Sequence, residues 1–483
     1  MAITGIGSGM DIQGMVNALV NAEAAPKSAQ LNRLEKATTA KFSGLGQFRS
    51  AISDFQSVVK DLNSASLFEK RTATSGKTDV FSVKADSKAV AGNYSVQVFT
   101  LAQSSKVALQ GFDDPAASLG AGELSISFGG DEPLTIDLAD EASSLTDIRD
   151  AINKAGKDQG LSATIVNDPN GESGARLVLS STKAGDGNDI SVSVATGGAE
   201  LQKLAFTPPP QPAPGAEPPA ADPKAAKVIT YAQDARFAID GINMSSATNT
   251  ITEAIDGVTL TLQSAQSKED LEKANTISLT VGEDRAGVKS SLKKFVDGYN
   301  KLMSTVGSLT KVTAVGGDGG TPLTGALVGD ASVRSFMSSI RGDLGNPAGT
   351  SEVKILADLG ISTQRDGTLK IDDARLDKAL DENFSQLSGF FTGETGLMAR
   401  LENTVKPYTQ TGGILESRTK GLQNTLSSVD DQRESLTRRI GKLEARLLSQ
   451  FNKMDSLLGQ MNQTSSFLVG ALSNLPGVVK KDN

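Results

Sequence analysis

Apolar residues recur every three or four positions near both ends of the chain and every second position in much of the middle. Near the N-terminus Leu45, Phe48, Ile52, Phe55, Val59 and Leu62 are spaced 3-4-3-4-3. Near the C-terminus Leu422, Leu426, Val429, Arg433, Leu436, Ile440, Leu443 and Leu447 alternate four and three in one register. The register carries on through Met454, Leu457, Met461 and Leu468. A spacing averaging about 3.5 residues keeps one stripe of a helix facing a partner helix, which is the coiled-coil pattern. A third stripe of the same kind runs Val288, Leu292, Phe295, Tyr299, Leu302, Val306, Leu309. Stripes at opposite ends suggest that the termini pair and that the sequence between them is projected outward. That layout suits a subunit of a larger assembly better than an enzyme.

The segment before the first strong stripe also reads as helix. Asp11 can cap it, and Ile12, Val16, Leu19 and Val20 form an apolar face. Pro26 is expected to interrupt it. Leu31 and Leu34 restart a heptad whose next positions, Thr38 and Lys41, are polar, and Ser43-Gly44-Leu45-Gly46 reads as a boundary. From about residue 78 the period changes to two. Tyr94–Val98, Leu124–Phe128, Leu134–Leu138, Ala163–Val166 and Arg176–Leu179 predict strands. One helix, capped by Ser144, interrupts them with Leu145, Ile148 and Ile152. Asp168-Pro169-Asn170-Gly171 and Asp186-Gly187-Asn188-Asp189 read as turns, and neither has the wider carboxylate spacing of a calcium loop. Strands return at Ala235–Gly241, Asn249–Thr252, Val258–Leu262 and Thr276–Val281. Helices follow at Val333–Ile340 and at Leu376–Leu387, the latter capped by Asp372 or Asp373, with Gln364–Gly367 as a hairpin turn between them.

The expected fold class is α+β and multidomain: terminal heptad helices in a coiled coil, a helical-bundle layer, and two inserted, mostly-β domains at the tip. The expected boundaries are 1–43 with 410–483 for the terminal coiled coil and 44–77 with 282–409 for the helical domain. A β-rich domain takes 78–104 with 225–281, and a second, acidic insertion takes 105–206. Residues 207–223 hold eight of the 16 prolines, so 207–224 reads as a polyproline-type linker or loop.

Composition narrows the chemistry. The 483 residues include no His, no Cys and no Trp. That removes the usual zinc sites, Cys nucleophiles and Ser-His-Asp triads, and no cofactor is expected. The net charge of −8 is concentrated in residues 107–206, where 16 acidic residues face 6 basic ones. An acidic, aromatic-poor middle argues against nucleic acid as a partner. Gly5-x-Gly7-x-Gly9 has neither a preceding strand nor a following Lys-Ser/Thr, so a phosphate cradle is not expected. Acidic pairs such as Asp113-Asp114, Asp131-Glu132 and Asp372-Asp373 fall in turns or caps. The start of the chain has no basic and apolar leader, and no window approaches the length of a membrane span.

Several motifs carry a resemblance. The opening Gly5-Ile6-Gly7-Ser8-Gly9-Met10-Asp11-Ile12, with Val16–Val20 and Glu23-Ala24-Ala25-Pro26, is similar to the N-terminal signature of the flagellar hook-associated protein 2 family, the bacterial filament caps. Tyr94-Ser95-Val96-x-Val98-x-x-Leu101-Ala102 and Met461-Asn462-x-x-Ser465-Ser466-x-Leu468 fit the same family. Ala235-x-Phe237-x-Ile239-Asp240-Gly241 with Gly257–Leu262 resembles a repeat module shared with flagellin, and 122–194 loosely resembles a second copy. The Pro-rich segment lies outside this pattern.

The resemblance implies a non-enzymatic protein exported through the flagellar type III channel to the outside of the cell. It implies a ring-like homo-oligomer at the filament tip, where flagellin inserts and is kept from leaking away. Hook–filament junction proteins and a flagellar export chaperone are further implied partners. The apolar stripe residues would form the assembly surface. Rival expectations are another hook-associated or flagellin-like filament subunit, or an adhesin that binds host surface glycans through the acidic domain.

Overall fold

The computed structural model describes residues 9–130, 132–168, 171–212, 222–314, 322–348 and 352–473. Among the described residues, seven helices of eight or more residues follow in chain order: α1 (Ile12–Leu62), α2 (Leu145–Gly156), α3 (Arg285–Thr310), α4 (Ala331–Gly345), α5 (Asp373–Phe391), α6 (Leu397–Thr409) and α7 (Ile414–Ser473). The chain divides into two compact units. One combines residues 1–68 with 285–483, and the other is 69–284.

In the first unit α1 begins at Asp11, whose carboxylate accepts the Gly14 N–H at 2.9 Å. It then runs unbroken for 51 residues. Pro26 does not end it, contrary to the expectation from sequence. Proline removes one N–H from the ladder, and a helix packed along one face against α7 tolerates that loss. Nor is 43–46 a boundary. Gly44 lets a neighbouring loop approach, since a Cβ there would lie 2.9 Å from the Ala326 Cβ.

The second half of α1 packs into a helical bundle. Leu45, Phe48, Ile52, Phe55, Val59 and Leu62 are buried together with the whole predicted α3 stripe. Phe48 meets Phe336 of α4 edge-on with ring centroids 5.4 Å apart, and Phe336 meets Tyr408 of α6 at 4.9 Å. Asp330 caps α4 and Asp372 caps α5. The small hairpin pairs Ile361–Thr363 with Leu369–Ile371, and Asn300 of α3 exchanges two hydrogen bonds with Leu369. The sequence reading missed α6, whose Leu397, Met398, Leu401 and Val405 complete this core.

The second unit is built from antiparallel sheets around two cores. A five-stranded sheet runs in the order Arg71–Ser75, Ile277–Glu283, Gly92–Thr100, Ala235–Ile239, Ile242–Ser246. A three-stranded sheet of Thr250–Ile255, Val258–Leu262 and Phe81–Ala85 packs on it around Phe81, Val96, Phe237 and Leu279. Asp240 (φ 48°) and Gly241 (φ 80°) form the two-residue turn of the 235–246 hairpin. Arg71–Ser75, expected within the helical domain, belongs here because it pairs with Ile277–Glu283.

The acidic insertion has its own core. One sheet runs Lys227–Thr230, Ser104–Ala108, Arg176–Ala184, Leu161–Val166, and a second runs Leu134–Leu138, Gly122–Ser127, Ser191–Gly197. They enclose Leu124, Ile136, Leu177 and Leu179 with Leu145 and Ile148 of α2. Ser144 and Asp147 form the capping box that starts α2. Lys227–Thr230 falls outside the expected 105–206 boundary yet completes this sheet by pairing with Ser104–Ala108.

Both ends of the Pro-rich stretch are fastened to the insertion. Phe206 bridges Val192, and buried Arg176 donates to the carbonyls of Pro223 and Ala225. Residues 207–224 therefore leave and re-enter one domain. Half of the stretch, 213–221, lies outside the described residues, as do Pro169 and Asn170 of the first predicted turn.

Candidate functional site

The two terminal helices pair antiparallel. Ile12, Val16 and Val20 of α1 pack against Ile440, Leu443, Leu447, Leu448 and Phe451 of α7. Further along, Arg439 of α7 bridges Glu23 at 2.6 Å, and Arg433 reaches Asn32 and Glu35. Residue numbers rise on one helix as they fall on the other. Arg433, the one charge on the predicted C-terminal stripe, thus has an ionic partner across the pair. Its guanidinium is pushed further up by the hydrogen bond to Glu35. A charge at such a position fixes register more than it adds stability.

The root of α7 is tied to the bundle. Both Nη atoms of Arg418 lie 2.6 Å from the two Asp330 carboxylate oxygens, and Nη1 also reaches Ser332 Oγ. Asp330 therefore caps α4 and holds α7 at once. Burial by itself would raise the Asp330 pKa. The hydrogen bonds from Arg418 and from the backbone of Val333 and Ser332 outweigh it and hold the carboxyl below its usual value.

The predicted stripe residues fall into three groups. Leu45, Phe48, Ile52, Phe55, Val59 and Leu62 lie inside the chain's own bundle, so their apolar surface is already covered. This departs from the expectation that they form an assembly face. The cause is that α3, α4 and α6 supply the partner surfaces within the same chain. Leu422, Leu426, Val429, Leu436, Ile440, Leu443 and Leu447 are buried or half-buried, with Ile440, Leu443 and Leu447 packed on the start of α1 and Leu422 on the bundle core. Met454, Leu457, Met461 and Leu468 lie beyond the described start of α1 and are exposed, Leu457 at 60% and Met461 at 66%.

Phe467, Val469 and Leu472 join the third group, and the sequence reading did not single them out. Phe467 is 75% exposed. The signal was available as a dense apolar run, in which Phe467 and Val469 flank the stripe residue Leu468 off the heptad register. An exposed apolar strip five turns long on a helix that is otherwise packed marks an interaction surface. Among the described residues no group of three or more carboxylates is placed to hold a metal ion, and no helix is long and apolar enough to cross a membrane.

Comparison with known proteins decides which family carries this architecture. The family model for the flagellar hook-associated protein 2 N-terminus matches residues 8–105, and that for its C-terminus matches 232–463. A curated relative, the A-type flagellar hook-associated protein 2 of Pseudomonas aeruginosa, is 45% identical, with 99% of this chain and 98% of that protein aligned. The chain belongs to the flagellar hook-associated protein 2 family. The Escherichia coli K12 flagellar hook-associated protein 2 is 32% identical over 97% of both chains. Between the family's two end regions, the flagellin hook IN motif matches 123–183, inside the acidic insertion. The crystal structure of the D1-D2-D3 domains of the flagellar cap protein from Escherichia coli superposes with a TM-score of 0.59 at 30% identity. It covers 79% of this chain and 99% of that one.

Proposed function

We propose that this chain is the cap at the distal tip of a bacterial flagellar filament, outside the cell, where it promotes insertion of exported flagellin and prevents its loss. The observation that carries the reading is the match along the whole chain to flagellar hook-associated protein 2, including its Pseudomonas aeruginosa and Escherichia coli members. These matches favour a cap over a flagellin-like subunit or an adhesin. The role is structural: a homo-oligomer that presents flagellin with a folding and insertion site.

The exposed strip from Met454 to Leu472 supports the assembly part of the reading. Burying it against other helices removes several large apolar side chains from water, each contributing about 1.5–3 kcal/mol when fully covered. The same strip is the surface an export chaperone would have to shield before assembly. Hook–filament junction proteins are the remaining proposed neighbours. Deleting the gene tests the reading. Hooks should remain, filaments should be short or absent, and flagellin monomers should collect in the medium. Normal filaments in the deletion strain would overturn it.

A further inference from the structure

The seam between α1 and α7 is well packed at both ends and thin between them. Outward, Ile12, Val16 and Val20 meet Ile440, Leu443, Leu447, Leu448 and Phe451. Toward the bundle, Leu31 and Val429 are each 1% exposed. From Asn21 to Gln30 the sequence Asn-Ala-Glu-Ala-Ala-Pro-Lys-Ser-Ala-Gln holds no Val, Leu, Ile, Met or aromatic residue, and none of its residues is buried. On α7, the stretch from Asp430 to Arg439 offers Leu436 alone as a large apolar residue, and it is half-buried. Solvent-facing ion pairs, Arg439 with Glu23 and Arg433 with Glu35, span this stretch, and such pairs hold weakly.

The weak points of the two backbones coincide there. Pro26 has no N–H to donate to the Ala22 carbonyl, so the ladder of α1 lacks one rung. Gly441 of α7 is exposed, and a Cβ there would meet nothing within 4 Å, so no close approach asks for glycine. Glycine in a helix interior gives up stability to alanine. The Glu23–Arg439 bridge places Ala22 and Gly441 within about one turn of each other. An open groove of about 500 Å³ lies at the same level, lined in part by Glu23, Ser435, Arg439 and Leu443. Helices kink at proline and glycine, and sparsely buried segments open first. We propose that the paired terminal helices bend at a joint level with Ala22 and Gly441. The outer segment, residues 12–21 of α1 with 442–473 of α7, then swings on the inner part that is rooted in the bundle. The use of this motion rests on the assembly role in the proposed function: it lets the exposed strip from Met454 to Leu472 change direction while the bundle stays fixed.

The full chain has no cysteine, so spin labels can be placed at will. Asn424→Cys with Asn452→Cys puts one label on either side of the joint at exposed positions of α7. A straight helix holds them about 42 Å apart. Pulsed electron resonance on the labelled protein should show this distance together with shorter ones. Pro26→Ala with Gly441→Ala should remove the shorter distances and raise the melting point, while slowing filament growth in cells. Gly421→Ala is the control. Gly421 is also exposed in α7 with nothing near its Cβ, but lies outside the labelled span. That change should raise the melting point and leave both the distances and filament growth as in the parent. A parent with the straight distance alone overturns the joint, and so do shorter distances that survive the paired substitution. A stiffened variant that builds filaments at the parental rate overturns the use of the motion. The distances are read without any filament, so they stand or fall apart from the gene-deletion phenotype.

Discussion

Side chains of one chemical type do different work here according to what covers them. Phe48 is fully buried between α1 and α4, and Phe48→Ala should cost about 3–5 kcal/mol of stability, read from chemical unfolding of the full chain. Met461→Ala should change stability by less than about 0.5 kcal/mol, because its side chain already meets water. Both residues sit on apolar heptad stripes of the same kind. Spacing identifies a face that wants covering; it does not say whether the cover comes from the same chain. That is why Leu45 to Leu62 and Met454 to Leu468 look alike in sequence and differ in the fold. Asp330 carries a pH signature. Its folded pKa is depressed, so its contribution is present above the unfolded value of about 3.9 and is lost as pH falls through the lower folded value. Asp330→Asn should lower the melting point at pH 6, and the gap from the parent should narrow as the pH falls below about 4. A gap that stays constant down to pH 2 would contradict the pairing with Arg418.

At the scale of elements, α7 divides into a covered part and an open part. Ile440→Asp with Leu443→Asp places two charges in the seam against Ile12, Val16 and Val20, and burying unpaired charge costs several kcal/mol. Circular dichroism should show loss of terminal helix while the β-sheet signal persists. The elements most legible in the sequence were those with regular periods: the α3 stripe, the strand at Ala235–Ile239, and α2 with its Ser144 cap, whereas the partner strand Ile242–Ser246 beyond the Asp240-Gly241 turn went unread. Harder cases failed for identifiable reasons. Pro26 looked like a breaker because local rules ignore the packing that carries α1 past it. α6 was passed over because it lacks a side-chain cap and contains Pro407, although Leu397, Leu401 and Val405 have helical spacing. Lys227–Thr230 was assigned to the wrong domain because strand partners so far apart in sequence leave no local mark.

At the scale of the whole molecule, residues 69–284 own two cores and take both ends of every sheet strand from within that span. A fragment of those residues should fold as a β-rich unit with a melting transition of its own, seen by calorimetry; a fragment without cooperative melting would count against it. The first unit instead combines both chain ends with the helical layer. The terminal helices of the candidate site are therefore continuous with the bundle that roots them. In the proposed function the exposed end of α7 is the surface on which copies of the chain meet. Its most direct test is the molecular mass in solution of full-length protein carrying Leu457→Asp and Met461→Asp, measured beside the parent and with the melting point recorded. The account predicts an unchanged melting point and loss of the higher oligomer. An oligomer of parental mass, or a variant that melts as a whole well below the parent, would contradict it.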